Sequence, residues 1–561
     1  MRKLAALLSL VLICTLLLGI PGLSAFALED LPADPAACFV HADDGSLLLS
    51  DGGELVLDTS GRLFGAPDDN YRVFYEIFTG SFSDSDGDGV GDLRGVINRM
   101  AYLNDGDPGS GLSLGVEGIW LTPVFASPSY HKYDVTDYYR VDEQFGTLED
   151  LRELIELCHA RGVKLILDLP INHSGDENEW FNKFKLAHMT GNDENPYYDF
   201  YSFVRSEDGS GVPAGFNRIG KTKDYYECNF SEHMPEFNFD SEAVRQEMLS
   251  IARFYLDMGV DGFRFDAAKY IYLGDNGRSS EFWDWYLDEL RAIKPDIYTV
   301  AEVWDADGVT DVYYSAVNCF DFTTSQTSGL IAATAQKGSV GPYVNYVDAY
   351  LDRIHAIRPD AMIVPFIANH DTDRASGYLT VASGAMKVAA NLYILSSGSP
   401  FLYYGEELGL RGSRGGSNTD ANRRLAMLWG DGDGIRDPFG TTYDPAKQIQ
   451  DTAADQKANA YSLYSYYKKL LMIRAAYPAI ARGEYTPVVV PDSKLGGFIA
   501  DWNGQRVCVL HNTTLSSAKL DLAALGLGDF TQLGDFIGVE DASLSDGVLR
   551  LGSQTSAVLV G

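Results

Sequence analysis

Four stretches of this chain end in a carboxylate with other polar side chains close by. They read Leu167-Asp168-Leu169-Pro170-Ile171-Asn172-His173, Gly262-Phe263-Arg264-Phe265-Asp266-Ala267-Ala268-Lys269-Tyr270, Ala301-Glu302-Val303-Trp304 and Ala368-Asn369-His370-Asp371. A lone Asp at the end of an apolar run is more often a turn or cap residue than a catalyst, and an Arg two residues before an Asp reads equally as an ion pair. Four such ends call for a shared explanation, because carboxyl groups brought to one place can divide the roles of nucleophile, acid and base. A further acidic cluster has a different spacing. Asp84-Ser85-Asp86-Gly87-Asp88-Gly89-Val90-Gly91-Asp92 alternates carboxylates with small residues, so that a tight loop can wrap oxygens around a hard cation such as Ca2+. The side chains of Asp84, Asp86, Asp88 and Asp92 and the backbone carbonyl of Val90 would be the ligands. It is not a full EF-hand, since Gly95 stands where the twelfth-position Glu belongs, and its alternative reading is a solvated acidic turn.

For the carboxylates to meet, the runs that carry them must lie side by side. Eight short apolar runs follow one another from residue 71: Arg72–Phe78, Gly118–Phe125, Lys164–Pro170, Gly262–Asp266, Ile297–Val303, Asn318–Phe322, Met362–Ala368 and Pro400–Tyr404. Most are apolar on both faces, as buried parallel strands require. Helical patterns such as Leu148–Arg161, with a capped start after Thr147, and Ala243–Met258 lie between them. The pattern predicts an α/β fold, a (β/α)8 barrel occupying 71–171 and 241–481, whose chemistry belongs at the ends of the strands. Residues 172–240 are polar, aromatic and without clean periodicity, and are expected to form a small domain inserted after the third strand and leaning over the barrel mouth. From 482 to 561 short strands alternate with turn signals such as Asn503-Gly504, which predicts a C-terminal antiparallel β domain. Residues 28–70 form an N-terminal extension with no assignment.

Composition narrows the partners. The formal charge of −35 leaves nothing to neutralise a phosphate backbone, so nucleic acid is excluded and anionic membranes are poor partners. The 33 tyrosines suit a cleft for neutral sugars, because each offers a flat apolar face with a polar tip. Residues 1–27 read as a signal peptide: Arg2 and Lys3, the apolar run Leu4–Ile20, then Pro21-Gly22 and a cut after Ala27. Contact with a membrane is expected through this segment alone. Cys14 would offer a point of lipid attachment, but bulky Ile13 precedes it where a small residue is wanted, so secretion is favoured over anchoring. The remaining cysteines (Cys38, Cys158, Cys228, Cys319 and Cys508) show no paired spacing, and at most one or two incidental bridges are expected. A monomer is expected.

The four carboxylate-bearing segments, in this order, resemble the signature regions of the α-amylase family of retaining glycoside hydrolases. Ser129-Tyr130-His131-Lys132-Tyr133-Asp134-Val135-Thr136-Asp137-Tyr138 and Tyr403-Tyr404-Gly405-Glu406-Glu407 fit as well, so the resemblance covers nearly all of 71–561. It implies a TIM barrel with an inserted domain and a C-terminal antiparallel β-sandwich. It also implies Asp266 as nucleophile, Glu302 as acid/base and Asp371 as the third acid, gripping ring hydroxyls and stabilising an oxocarbenium-like transition state. Retention needs the nucleophile and acid/base carboxyls ~5–5.5 Å apart. Arg264 would hold Asp266 ionised and oriented, and Glu302 would be kept protonated long enough to donate. His173 and His370 would hydrogen-bond the sugar, Tyr133 would stack on it, and Lys269 would touch the leaving-group side. Asp134, Tyr270 and Arg374 complete the implied substrate contacts. The acidic loop matches the calcium loop of oligo-1,6-glucosidase-like members. Asn172 matches a ligand position for a second family calcium, but Met234-Pro235-Glu236-Phe237-Asn238 carries Glu where the motif usually has Asp.

The implied activity is that of a secreted endo-acting α-amylase hydrolysing α-1,4-glucosidic bonds of starch and maltooligosaccharides. A cyclomaltodextrinase, neopullulanase or glucan-transferring relative would share the same active site. A catalytically inactive glucan-binding protein is disfavoured, because none of the three acids is missing.

Overall fold

The computed structural model describes residues 39–41, 47–49 and 69–561, apart from 108, 109, 382, 417, 418 and 489. The signal-like segment 1–27 with Cys14, together with Cys38 and most of 28–70, lies outside the described residues. Phe39–His41 pairs antiparallel with Leu47–Leu49 in a unit of its own (1–54), and residues 55–561 form the other unit.

Seven of the eight apolar runs are hydrogen-bonded parallel strands. In sheet order they are Asn318–Cys319, Tyr298–Ala301, Gly262–Phe265, Lys164–Leu169, Gly118–Leu121, Phe74–Ile77 and Phe401–Tyr403. The remaining run closes the ring through two parallel bridges, Phe320 with Val364 and Phe366 with Phe401. It forms no longer ladder. Pro365 at its centre has no N–H to give and contributes only its carbonyl, which accepts from Phe401 N at 3.0 Å. The result is a TIM barrel.

The twofold period of a strand decides what fills it. One layer of inward side chains is apolar: Phe74, Trp120, Ile166, Tyr298, Val300, Phe320, Val364, Phe366 and Phe401 are all buried together. Gly262 is the fourth strand's member of this layer, and a Cβ there would stand 1.8 Å from the Tyr298 carbonyl, so only glycine fits. Two residues further along the same strands, on the same inward face, come Glu76, Asp168, Arg264 and Glu302. The sequence period thus stacks a charged layer on an apolar floor. Alternate residues such as Ile119, Leu165, Leu167, Phe263 and Phe265 face outward against the helices. The helix Leu148–His159 begins with the expected capping box, Thr147 and Asp150 satisfying each other's backbone N–H.

Between the third strand and the helix Glu242–Met258 the inserted segment holds a helix, Glu179–Thr190, and a three-stranded antiparallel sheet of Phe203–Arg205, Asp224–Glu227 and Phe216–Arg218. At the C-terminus a five-stranded antiparallel sheet faces a three-stranded one. Leu495, Cys508, Leu510 and Leu559 of the first pack with Leu520, Leu549 and Leu551 of the second, which makes a sandwich. Asn503 and Gly504, with φ of 45° and 78°, form the two-residue turn between its longest strands, as the turn signal predicts. Cys158, Cys228, Cys319 and Cys508 are all unpaired and buried, so among the described residues there is no bridge, within the limit of one or two set by the sequence. They serve as small apolar core residues.

Candidate active site

One guanidinium organises the charged layer. Arg264, fully buried in the fourth strand, donates through Nη1 to Asp168 at 2.9 and 3.0 Å and to Asp266 at 2.6 Å, and through Nη2 to Glu302 at 2.6 Å. Its plane lies 5.2 Å over the Trp120 ring. Parallel register makes this possible, since Arg264 stands opposite Asp168 on one side and Val300, two residues before Glu302, on the other. Asp266 is the first residue past its strand, and Ala267 then takes φ 49°, a left-handed turn rare for a residue with a side chain. Glu302 Oε2 lies 3.4 Å from the Ala267 N–H.

A second chain of contacts holds Asp371. Its Oδ2 accepts from His370 Nε2 at 3.0 Å and its Oδ1 from Arg424 Nη2 at 2.6 Å. His370 is pinned from behind by Glu76, whose Oε1 lies 2.5 Å from Nδ1. Tyr133 links the two chains: its hydroxyl donates to Asp168 at 2.8 Å and accepts from His370 Nε2 at 2.7 Å.

Asp266, Glu302, Asp371, Tyr133, His173, Lys269 and Tyr270 all line one cleft of about 890 Å³, joined by Tyr130, Phe230, Trp304, Arg423 and Arg424. Trp304 is 40% exposed and stacks on Phe322 at 4.8 Å, offering a flat apolar surface in the cleft lining. Lys269 donates to the Trp304 carbonyl at 2.9 Å and to Asp305 at 3.0 Å.

Three of the expected substrate contacts are placed differently. Asp134 is turned into its own loop, accepting from Ser127 Oγ at 2.6 Å and from Ser129 Oγ. Arg374 is buried behind the cleft, donating to the Tyr404 carbonyl at 2.6 Å and the Arg423 carbonyl at 2.9 Å with its guanidinium over both Tyr403 and Tyr404. His370 is fully buried, and both its ring nitrogens are engaged by protein groups. The arginine that reaches Asp371 is Arg424, and no local periodicity marks it, because it sits in a loop 53 residues away in sequence. Glu76 and Asp168 were legible in principle, as each stands two residues after an inward apolar residue.

A family model for the alpha-amylase catalytic domain matches residues 76–483. The chain belongs to the alpha-amylase family. It is 32% identical over 447 residues to alpha-amylase 3 of Dictyoglomus thermophilum, covering 78% of this chain and 84% of that protein. It is 31% identical over 366 residues to a 4-alpha-glucanotransferase of Thermotoga maritima, covering 62% of this chain and 74% of that protein. The solved structure of Eubacterium rectale Amy13B superposes with a TM-score of 0.82 at 32% identity, covering 90% of this chain and 99% of that one.

In this alpha-amylase-family enzyme the cleft's carboxyls are driven apart electrostatically. Burial, helped by the neighbouring Asp266 and Asp371, pushes the Glu302 carboxyl up to about 7 against the pull of Arg264. Burial also raises Asp266, and the Arg264 contact offsets this only in part, a weaker hold on the ionised form than the sequence suggested. Burial would raise Asp371 too, but His370 and Arg424 overcome it and hold that carboxyl well below the usual range. Burial works against a charged His370, yet Asp371 and Glu76 lift it to about 10, so the imidazolium persists at neutral pH. His173 is pushed down to about 4 by burial and stays neutral, with its Nε2 buried and without a partner. An orphaned ring nitrogen in a cleft wall is suited to a ligand hydroxyl.

The acidic loop of this family member gathers part of its expected ligand set. Asp84, Asp86 and Asp88 each offer a carboxylate oxygen, all within 4.8 Å of one another. Three hard oxygen donors this close fit a divalent cation such as calcium. Asp92 stands outside that trio and serves the backbone, as Asp84, Asp86 and Asp88 also do by accepting from the N–H groups of Asp86, Gly87, Asp88, Gly89 and Val90. The Oδ1 of Asp92 caps the helix Leu93–Leu103 through Gly95 N at 2.6 Å, and its Oδ2 accepts from Ser85 N at 2.9 Å and Ser85 Oγ at 3.0 Å. At the root of the inserted domain, Glu236 accepts from Asn229 N at 2.8 Å and Asn229 Nδ2 at 3.1 Å, so the chain's own amide donors occupy that carboxylate.

Proposed function

We propose that this alpha-amylase-family enzyme is exported and cuts α-1,4-glucosidic bonds within starch-like glucans by a retaining double displacement. The observation that carries the reading is the Arg264 fork, which holds Asp266 and Glu302 each at 2.6 Å on neighbouring guanidinium nitrogens. That close spacing suits a retaining pair at ~5–5.5 Å better than an inverting pair at ~6.5–9.5 Å, which must leave room for a water between them.

In the first step an Asp266 oxygen attacks the anomeric carbon while Glu302, still protonated near neutral pH, gives its proton to the departing glucosidic oxygen. The C–O bond breaks, and the sugar stays on Asp266 as an ester. In the second step Glu302, now ionised, takes a proton from water, whose oxygen displaces Asp266 and restores the α-configuration. Asp371, kept ionised by His370 and Arg424, faces the positive charge that develops on the ring in both steps. Tyr133 supports the ring from the cleft wall, and the neutral His173 offers Nε2 to a hydroxyl. Lys269, Tyr270 and Trp304 lie where a glucan continues past the cut bond.

The signal-like residues 1–27 support export, since a polymer too large to import is cut outside. Protein recovered from the culture medium is expected to begin at Leu28 and to release the α-anomer first from maltoheptaose, followed by proton NMR. Early β-anomer would rule out the double displacement, and uncut residues 1–27 would rule out a secreted mature form. The Thermotoga relative favours a second reading, glucan transfer in the same cleft. Products longer than maltoheptaose in the same digest would establish transfer, and shorter products alone would establish hydrolysis.

The acidic loop is proposed to hold Ca2+ through Asp84, Asp86 and Asp88, with the Val90 carbonyl and a rearranged Asp92 available to complete the shell. When bound, the ion would neutralise three crowded carboxylates and brace the loop after the first strand. A ligand bound only by the native state raises stability by about 2.7 kcal/mol at a hundredfold excess over Kd. Chelation is therefore expected to lower Tm by ~2 °C or more in scanning calorimetry. An unchanged Tm, restored by no cation, would remove calcium from this loop.

A further inference from the structure

The segment 423–437 leaves the cleft and is fastened along its whole length. At the cleft end Arg424 donates to Asp371 at 2.6 Å and to the His370 carbonyl at 3.1 Å, and Arg423 donates to the Asp371 carbonyl at 2.7 Å. In the middle, Met427 N donates to the Ser81 carbonyl at 2.9 Å, Trp429 Nε1 to the Phe82 carbonyl at 2.5 Å, and Ala426 N to Asp437 Oδ1 at 2.9 Å. At the far end stands Asp433, its side chain 3% exposed. It accepts from Ser83 Oγ at 2.6 Å, Arg99 Nη2 at 2.7 Å, Asp84 N at 3.1 Å and Ile435 N at 3.0 Å. This carboxylate lies outside the cleft lining and has no part in the bond-breaking steps.

We propose that Asp433 is a positioning residue for the reaction: by locking this strap to Ser83, Asp84 and Arg99, it sets where Arg424 holds Asp371. The proposal rests on Asp371 being the acid that faces the transition state. Three of the donors that meet Asp433 are N–H groups with nothing to accept, and the fourth is a hydroxyl. A carboxylate can take all four, having acceptor sites on both oxygens. An asparagine cannot: with its oxygen kept on Asp84 N and Ile435 N, its NH2 faces Ser83 Oγ, which can turn to accept, and Arg99 Nη2, which has only N–H to offer, so the Arg99 contact is lost and the far end of the strap has to move. Displacements of the order of 1 Å at a reacting constellation cost up to about a hundredfold in rate.

Asp433→Asn is expected to lower kcat on maltoheptaose about tenfold while KM shifts less than about twofold, the mark of a contact made chiefly in the transition state. Asp431→Asn is the control: Asp431 pairs with the same Arg99 but is 46% exposed, and water can replace the bond, so kcat should stay within about twofold. If Asp433 acts through Arg424, adding Asp433→Asn to Arg424→Lys should cost less than about twofold more, a non-additive cycle. Should Asp433→Asn fail to fold, Ser83→Ala removes a single bond at the same hub and is expected to lower kcat about threefold with KM held. Wild-type kcat in the folded variant, or full additivity with Arg424→Lys, would overturn the proposal. Loss of activity in Asp371→Asn no greater than in Asp433→Asn would instead undo the role of Asp371 itself.

Discussion

Replacing Asp266 by asparagine is expected to lower kcat on the order of 10⁶-fold, as removal of a nucleophile does elsewhere, while the protein stays folded. The amide has nearly the same shape and its oxygen can keep the 2.6 Å bond from Arg264, but it cannot form the ester that splits the displacement into two steps. Stability should not fall with activity. Burial raises the Asp266 carboxyl, so the ionised form is held in the native state at a cost, and a neutral amide removes that cost. Reducing-end assays and a thermal melt on the same sample check both halves. Wild-type turnover would dismiss Asp266 as nucleophile. Lost activity together with collapse of the melt would make Asp266 a structural partner of Arg264 instead.

The barrel was legible because its physics is periodic. Inward residues come every second position, so the step from Ile166 to Asp168, or from Val300 to Glu302, places an acid above an apolar floor without knowledge of any other strand. Eight such runs with helices between them leave few alternatives. The cleft acids were legible for the same reason, with family resemblance supplying their roles. What escaped was non-periodic or long-range. Met362–Ala368 has the composition of a strand, but Pro365 cannot enter a ladder, so the run survives as two bridges. Arg374, three residues from Asp371, was expected to contact substrate. The chain instead turns it inward onto Tyr403 and Tyr404 and brings Arg424 round from a loop. Sequence proximity says nothing about which of two arginines a turn will aim outward. The acidic loop shows the same limit: spacing alone could not show that Asp92, besides being a candidate ligand, caps the helix that follows.

Raising the pH from 5 to 8 is expected to destabilise the enzyme through Glu406, a carboxyl the reaction does not use. It follows the last barrel strand and is fully enclosed. Its Oε1 accepts from Tyr393 at 2.5 Å and Tyr467 at 2.8 Å, and its Oε2 has no partner. Burial drives the Glu406 carboxyl up to about 8, the two tyrosine bonds pulling back only in part. An unfolded chain releases this proton near pH ~4.3. Between those two values the native state holds the proton and the unfolded state does not, so stability declines with pH at up to about 1.4 kcal/mol per unit. The loss begins above the unfolded value and levels off above the folded one. Glu302 and Glu236, both raised to about 7 by burial, add slopes of the same sign. Glu406→Gln keeps an acceptor for both tyrosines and carries no proton to lose. Its Tm should therefore fall less steeply than the wild type's between pH 5 and 8, while kcat at neutral pH is unchanged. Parallel Tm–pH curves for the two proteins would show that Glu406 releases its proton at the same pH folded and unfolded, and would dismiss it as a source of the slope.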